Sequence, residues 1–158
     1  MKIVTDSGFD LSPEQQQGVD LHTLPLQINL GGTSYRSGID VNKEEFYQLL
    51  ENTEEMPTTS TPSPGEFLEI YQKVIEEDPD ILSLHIASGL SGTYNSAVTA
   101  AGQIPEANIT LVDTRSLSIE MGWQVEAAIR AVKAGWPMTK ILELLSKIRA
   151  ASEVVFTL

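Results

Sequence analysis

The 158-residue chain can bury one substantial core, and 41% apolar with 20% charged residues is the composition of an ordinary globular protein. Ten basic against 22 acidic residues leave a net charge of −12, which repels phosphate backbones and anionic headgroups and argues against nucleic-acid or membrane-surface binding. The lack of cysteine excludes disulfides, thiolate metal sites and a cysteine nucleophile, and fits a reducing cytoplasm.

Lys2 to Thr5 reads as a first strand and leaves no room for a signal peptide. Leu24 to Leu30 reads as a second strand, with Gly31-Gly32 as a hairpin turn and Thr33 to Tyr35 returning. Asn42-Lys43-Glu44-Glu45 is a capping box that opens a helix with Phe46, Leu49 and Leu50 on one face. Ser63-Pro64-Gly65-Glu66 is another, followed by Phe67, Ile70, Tyr71 and Val74 at helical spacing. Ile81 to Ile86 is a buried-strand pattern, and a helix of small residues spans Thr93 to Ala101. Ile109 to Val112 is a further strand. A long helix runs to about Ala134, stopped by Gly135, and Thr139 to Ile148 forms one more. Val154 to Leu158 reads as the onset of a strand with no polar tail behind it. The expectation is therefore residues 1–158 as one α/β domain, truncated before a second one.

Strands that alternate with helices imply crossover connections and a mainly parallel sheet flanked by helices. Ligands of such sheets lie beyond the carboxyl ends of the strands. No apolar run approaches the roughly 18 residues of a membrane-spanning helix, so a soluble cytoplasmic protein is expected.

Three segments rich in hydroxyls and glycine follow strand patterns: Thr5 to Leu11, Thr58 to Phe67 and Ser88 to Ser96. In the third, Gly89 and Gly92 let the backbone approach a ligand, and the following helix offers unpaired N–H groups to a carboxylate or phosphate. Ser91 or Thr93 would then donate a hydroxyl. Serine is equally at home there as a plain helix cap. Ser63 is a cap, and Thr58 to Thr61 are turn formers or ligand donors. Asp6 and Asp10 could meet a metal, although a lone aspartate at a strand end ordinarily fixes a turn. His22 precedes a strand and His85 lies inside an apolar one, with no nucleophile at motif spacing, so both read as core or edge histidines. Ser88-Gly89-Leu90-Ser91-Gly92 only superficially resembles a nucleophile elbow, because its central residue is Leu90.

Taken together, Thr5-Asp6-Ser7 with Asp10-Leu11, Thr59-Ser60-x-Pro62-Ser63-Pro64-Gly65-Glu66-Phe67, Ser88-Gly89-Leu90-Ser91-Gly92-Thr93-Tyr94 and Asp113-x-Arg115-Ser116 resemble the DegV family of bacterial fatty-acid-binding proteins. The segments fall in the family's order along most of the chain. The resemblance implies the first domain of a two-domain α/β fold. It implies a long-chain fatty acid held without covalent chemistry or cofactor, and presented to a separate fatty-acid kinase that phosphorylates the carboxylate with ATP. By position, Thr59 and Ser91 would bind the carboxylate, with Ser60, Thr61, Gly92, Thr93, Asp6 and Ser7 in support. The family pattern carries Gln where this chain has Thr61, and its second domain supplies further carboxylate contacts. A lipid-binding carrier is thus expected, not an enzyme. The alternatives are an enzyme acting on a small carboxylated or phosphorylated metabolite at the same loops, and a structural or regulatory partner domain.

Overall fold

The computed structural model describes residues 1–16 and 20–155. Four strands form a parallel sheet in the order β2-β1-β6-β7: β1 (Lys2–Asp6), β2 (Leu21–Leu24), β6 (Asp80–His85) and β7 (Asn108–Asp113). A second, antiparallel sheet has the order β4-β3-β5, with β3 (Gln27–Leu30), β4 (Thr33–Arg36) and β5 (Thr58–Ser60). The helices are α1 (Pro13–Gln16), α2 (Lys43–Glu51), α3 (Pro64–Ile75), α4 (Thr93–Ala101), α5 (Ser118–Lys133) and α6 (Met138–Ala151).

The pleat sorts side chains onto two cores. Ile3, Leu82 and Leu84 pack with Met121, Val125, Ile129 and Ile141 of α5 and α6. Val4 and Ile81 pack on the other face with Phe67, Tyr71 and Val74 of α3 and Ala97 and Ala100 of α4. The parallel α/β architecture is as the sequence implies.

Both capping boxes form: Asn42 accepts from Glu45 N and Ser63 from Glu66 N, with each glutamate returning to the cap N–H. Gly31 and Gly32, both at positive φ, make the β3–β4 hairpin turn, and Gly135 at φ +69° ends α5.

Four expectations need correction. Leu24 to Leu30 is not one strand: Pro25, which cannot donate to a ladder, separates β2 in the parallel sheet from β3 in the small one. His22 lies inside β2, paired with Val4, and does not precede a strand. Thr58 to Ser60 is strand β5, held by β3, although three hydroxyl residues in a row carry no alternating apolar signal. Val154 and Val155 are exposed and irregular, with no ladder beside them, and residues 156–158 lie outside the described residues.

Helix α2 forms where its capping box implies, but it packs differently from the other long helices. The face of Phe46, Leu49 and Leu50 meets no core, and the helix has no buried residue. Among the described residues, no helix is long and apolar enough to cross a membrane.

Candidate functional site

At the carboxyl end of β1, Asp6 is fully buried and its two oxygens are spent inside the protein. Oδ1 accepts from Gly8 N at 2.9 Å, and Oδ2 accepts from Ile86 N at 3.1 Å and lies 3.0 Å from His85 Nδ1. His85 Nε2 meets Ser83 Oγ at 2.7 Å, and that oxygen meets the Tyr71 hydroxyl at 2.8 Å. Every atom is satisfied if His85 Nδ1–H donates to Asp6, Ser83 donates to Nε2 and Tyr71 donates to Ser83. Asp6, His85 and Ser83 stand in the order of a hydrolytic triad, yet all three are at 0% exposure and out of reach of any substrate. Burial pushes the Tyr71 phenol well above its ordinary range. The chain of bonds anchors β1 to β6 and sets the loop that begins at Ser7.

Ser7 has a structural partner too: its hydroxyl accepts from Leu26 N at 2.9 Å, while Ser7 N donates to Leu24 O. This pair holds the chain where it crosses from the parallel to the antiparallel sheet.

The two hydroxyl-rich segments adjoin. The Cβ position of Gly92 lies 3.8 Å from both Cγ2 and Oγ1 of Thr61. Ser91, half-buried, shares a 2.9 Å bond with Thr93 Oγ1 and accepts from Thr93 N at 3.3 Å. It is not the helix cap. That position belongs to Gly92, which offers no side-chain acceptor. Thr93 is fully buried beneath Ser91. Thr59 pairs with Ile28 across the β3–β5 ladder, so the two side chains project from one face of the small sheet. Ser60, on the opposite face, receives a long 3.5 Å bond from Asn29 Nδ2. Thr59, Ser60 and Thr61 are all exposed.

The Ile28 face opens on a cavity of about 570 Å³. Its apolar wall comes from Phe9 and Leu11 of the loop after β1, Pro25 and Ile28, Ile39 and Val41 of the loop after β4, and Phe46 and Tyr47 of α2. Ser7, Asp10 and Lys43 add polar groups. The volume lies in the range of small-molecule sites. A turn braces the wall: Arg36 Nε and Nη2 donate to the two oxygens of Asp40 at 2.9 and 2.8 Å. That guanidinium holds the Asp40 carboxyl down at about 2.

A second cavity of about 570 Å³ lies at the ends of β6 and β7 and is more polar, with Arg115, Ser116, Glu120 and Arg149 among its lining and Leu90 at its rim. Asp113 ties it to the Ser91 loop, accepting from Ser88 Oγ at 2.6 Å and from Arg115 N at 2.9 Å. Burial opposes ionisation of Asp113, but these bonds outweigh it and keep the carboxyl below its ordinary range.

The family model described as "Uncharacterised protein, DegV family COG1307" matches residues 1–158. The chain belongs to the DegV family. A DegV domain-containing protein of Staphylococcus aureus is 39% identical over 147 residues, which cover 93% of this chain and 52% of that protein. The chain therefore spans about half the length of the curated relatives it matches. A solved DegV family protein from Thermus thermophilus, described by its fatty-acid binding, superposes with a TM-score of 0.86 at 35% identity, covering 94% of this chain and 53% of that one. A stearic acid-binding protein from Eubacterium ventriosum superposes with a TM-score of 0.83 at 28% identity, covering 92% and 52%.

The apolar wall of this DegV chain escaped sequence reasoning. Phe9, Ile28, Ile39, Val41 and Tyr47 lie on four separate elements and share no motif. One signal was present: Phe46 recurs with Leu49 and Leu50 on a helix that begins and ends with charged residues, a pattern that serves a ligand as well as a core.

Proposed function

We propose that the protein holds a long-chain fatty acid without covalent chemistry, with its tail in the cavity between the β1 loop and α2 and its carboxylate at Thr59 and Ser91. The observation that carries the reading is the sheet face that Ile28 and Thr59 share. Ile28 lines the apolar cavity, Thr59 projects from the same face of the sheet, and Thr61 reaches to Gly92 beside Ser91. The fatty-acid binding described for the Thermus thermophilus and Eubacterium ventriosum proteins supports the ligand class.

The energetics suit a carrier. Burial of about 14 methylenes at roughly 0.8 kcal/mol each contributes on the order of 11 kcal/mol before association costs. Each hydroxyl bond to the carboxylate adds about 1.5–3 kcal/mol, less the cost of desolvation. The tail therefore supplies affinity and the hydroxyls set the position of the head. Neutral donors leave a carboxylate oxygen free to attack a phosphoryl group, which suits the partner implied by the family resemblance, a fatty-acid kinase that phosphorylates the bound acid with ATP. The protein contributes orientation and shelter to that step, not the chemistry.

A reconstituted assay tests the reading: protein loaded with oleic acid, a fatty-acid kinase and ATP. Acyl phosphate should form with the wild type and fall severalfold when Thr59→Ala and Ser91→Ala are combined. Equal product from both proteins would remove these hydroxyls from the site.

A further inference from the structure

The loop after β1 is pinned against α5. Asp10 N donates to Ser118 O at 3.1 Å, Ser118 N to Gly8 O at 2.7 Å, and Ser118 Oγ to Asp10 Oδ2 at 2.6 Å. Ser118 accepts a φ of +55° to do so, a conformation uncommon for residues other than glycine. One turn along the helix, the loop crosses directly over Gly122. A Cβ there would lie 2.3 Å from the Asp10 carbonyl oxygen, 3.1 Å from its carbonyl carbon and 3.2 Å from Leu11 Cδ2. No real Cβ tolerates such a distance, and the obstacle is backbone, not the end of a flexible side chain. Leu11, whose Cδ2 rests against the Gly122 position, also lines the cavity together with Val41 and Phe46. The loop is thus a partition whose position is set by a missing side chain.

We infer that Gly122 is a specificity-determining residue: by letting Asp10 and Leu11 lie flush on α5, it sets the width of the acyl cavity and so the length of tail accepted. The inference rests on the tail occupying that cavity. A methyl group at 122 must drive the Asp10 backbone about 1 Å off the helix to reach ordinary contact distance, and Leu11 travels with it into the cavity. Losing room for about two methylenes weakens a long acid about tenfold, while a short acid that never reached that depth is spared.

The test is a calorimetric titration of the purified protein with lauric and stearic acids. Gly122→Ala should bind stearic acid about tenfold more weakly and lauric acid within about threefold of wild type. Adding Leu11→Ala to Gly122→Ala should restore stearic acid binding, which general destabilisation would not allow. Equal weakening of both acids, or no restoration, overturns the inference. Should Gly122→Ala fail to fold, Leu11→Ala alone decides the matter: it must raise the preference for stearic over lauric acid, and an unchanged ratio overturns the inference. A wild-type protein that binds neither acid would bring down the proposed function itself, a result distinct from wild-type binding with an unaltered profile.

Discussion

Replacing Ser91 with alanine separates a ligand contact from a local structural role. In the structure Ser91 Oγ is the partner of the Thr93 hydroxyl and accepts from Thr93 N, and Thr93 is fully buried. Ser91→Ala therefore orphans a buried hydroxyl, at a cost of about 1–3 kcal/mol. In a domain of this size each kcal/mol lowers Tm by roughly 2–4 °C. Adding Thr93→Val removes the orphan as well, and deleting both partners of a buried bond is nearly neutral. If Ser91 donates to the carboxylate, both the single and the double variant lose about 1.5–3 kcal/mol of ligand binding, roughly ten- to hundredfold in Kd. Lipid should still bind, because the tail dominates. Thermal unfolding and titration with stearic acid, run on both variants, make the comparison. Recovery of Tm without recovery of affinity is the expected pattern. Recovery of both would show that Ser91 acts only through Thr93 and touches no ligand.

Three further outcomes follow from the geometry. Asp6→Ala strips acceptors from Gly8 N, Ile86 N and His85, and should cost roughly 3–5 kcal/mol of a total near 5–15 kcal/mol in urea unfolding. A loss below about 1 kcal/mol would mean that the relay does not anchor the strands. Phe46→Asp should move stability by no more than about 0.5 kcal/mol, because α2 buries no residue, yet weaken stearic acid about tenfold by placing charge in the acyl wall. The Asp40 carboxyl is depressed from 3.8 to about 2, so its support of the cavity turn is fully present above pH 3.8 and fades as pH falls through 2. Ligand-free Asp40→Asn protein should lack that acid step in a pH titration of near-ultraviolet circular dichroism, and retention of the full step would refute the assignment.

What the sequence disclosed follows from how local its signals are. Asn42 and Ser63 mark helix starts through bonds made within four residues, so both boundaries were legible. The parallel sheet was legible because its strands are short apolar runs separated by helical periods. Which sheet a strand joins is a non-local matter, and the break at Pro25 between β2 and β3 was missed for that reason. Thr58 to Ser60 became a strand only because β3 offered it a ladder. Periodicity reports that a face avoids water without saying what it meets, so the shared face of Phe46, Leu49 and Leu50 was legible but not the cavity that Phe46 lines. The hydroxyl residues Thr59 and Ser91 stood out through their motifs, whereas the wall opposite them is assembled from single apolar residues far apart in the chain.

The most direct test of lipid carriage is organic extraction of the purified protein followed by mass spectrometry. A long-chain fatty acid is expected at close to one molecule per chain, displaceable by added stearic acid. Protein that yields no fatty acid, and takes up none when it is supplied, would contradict it.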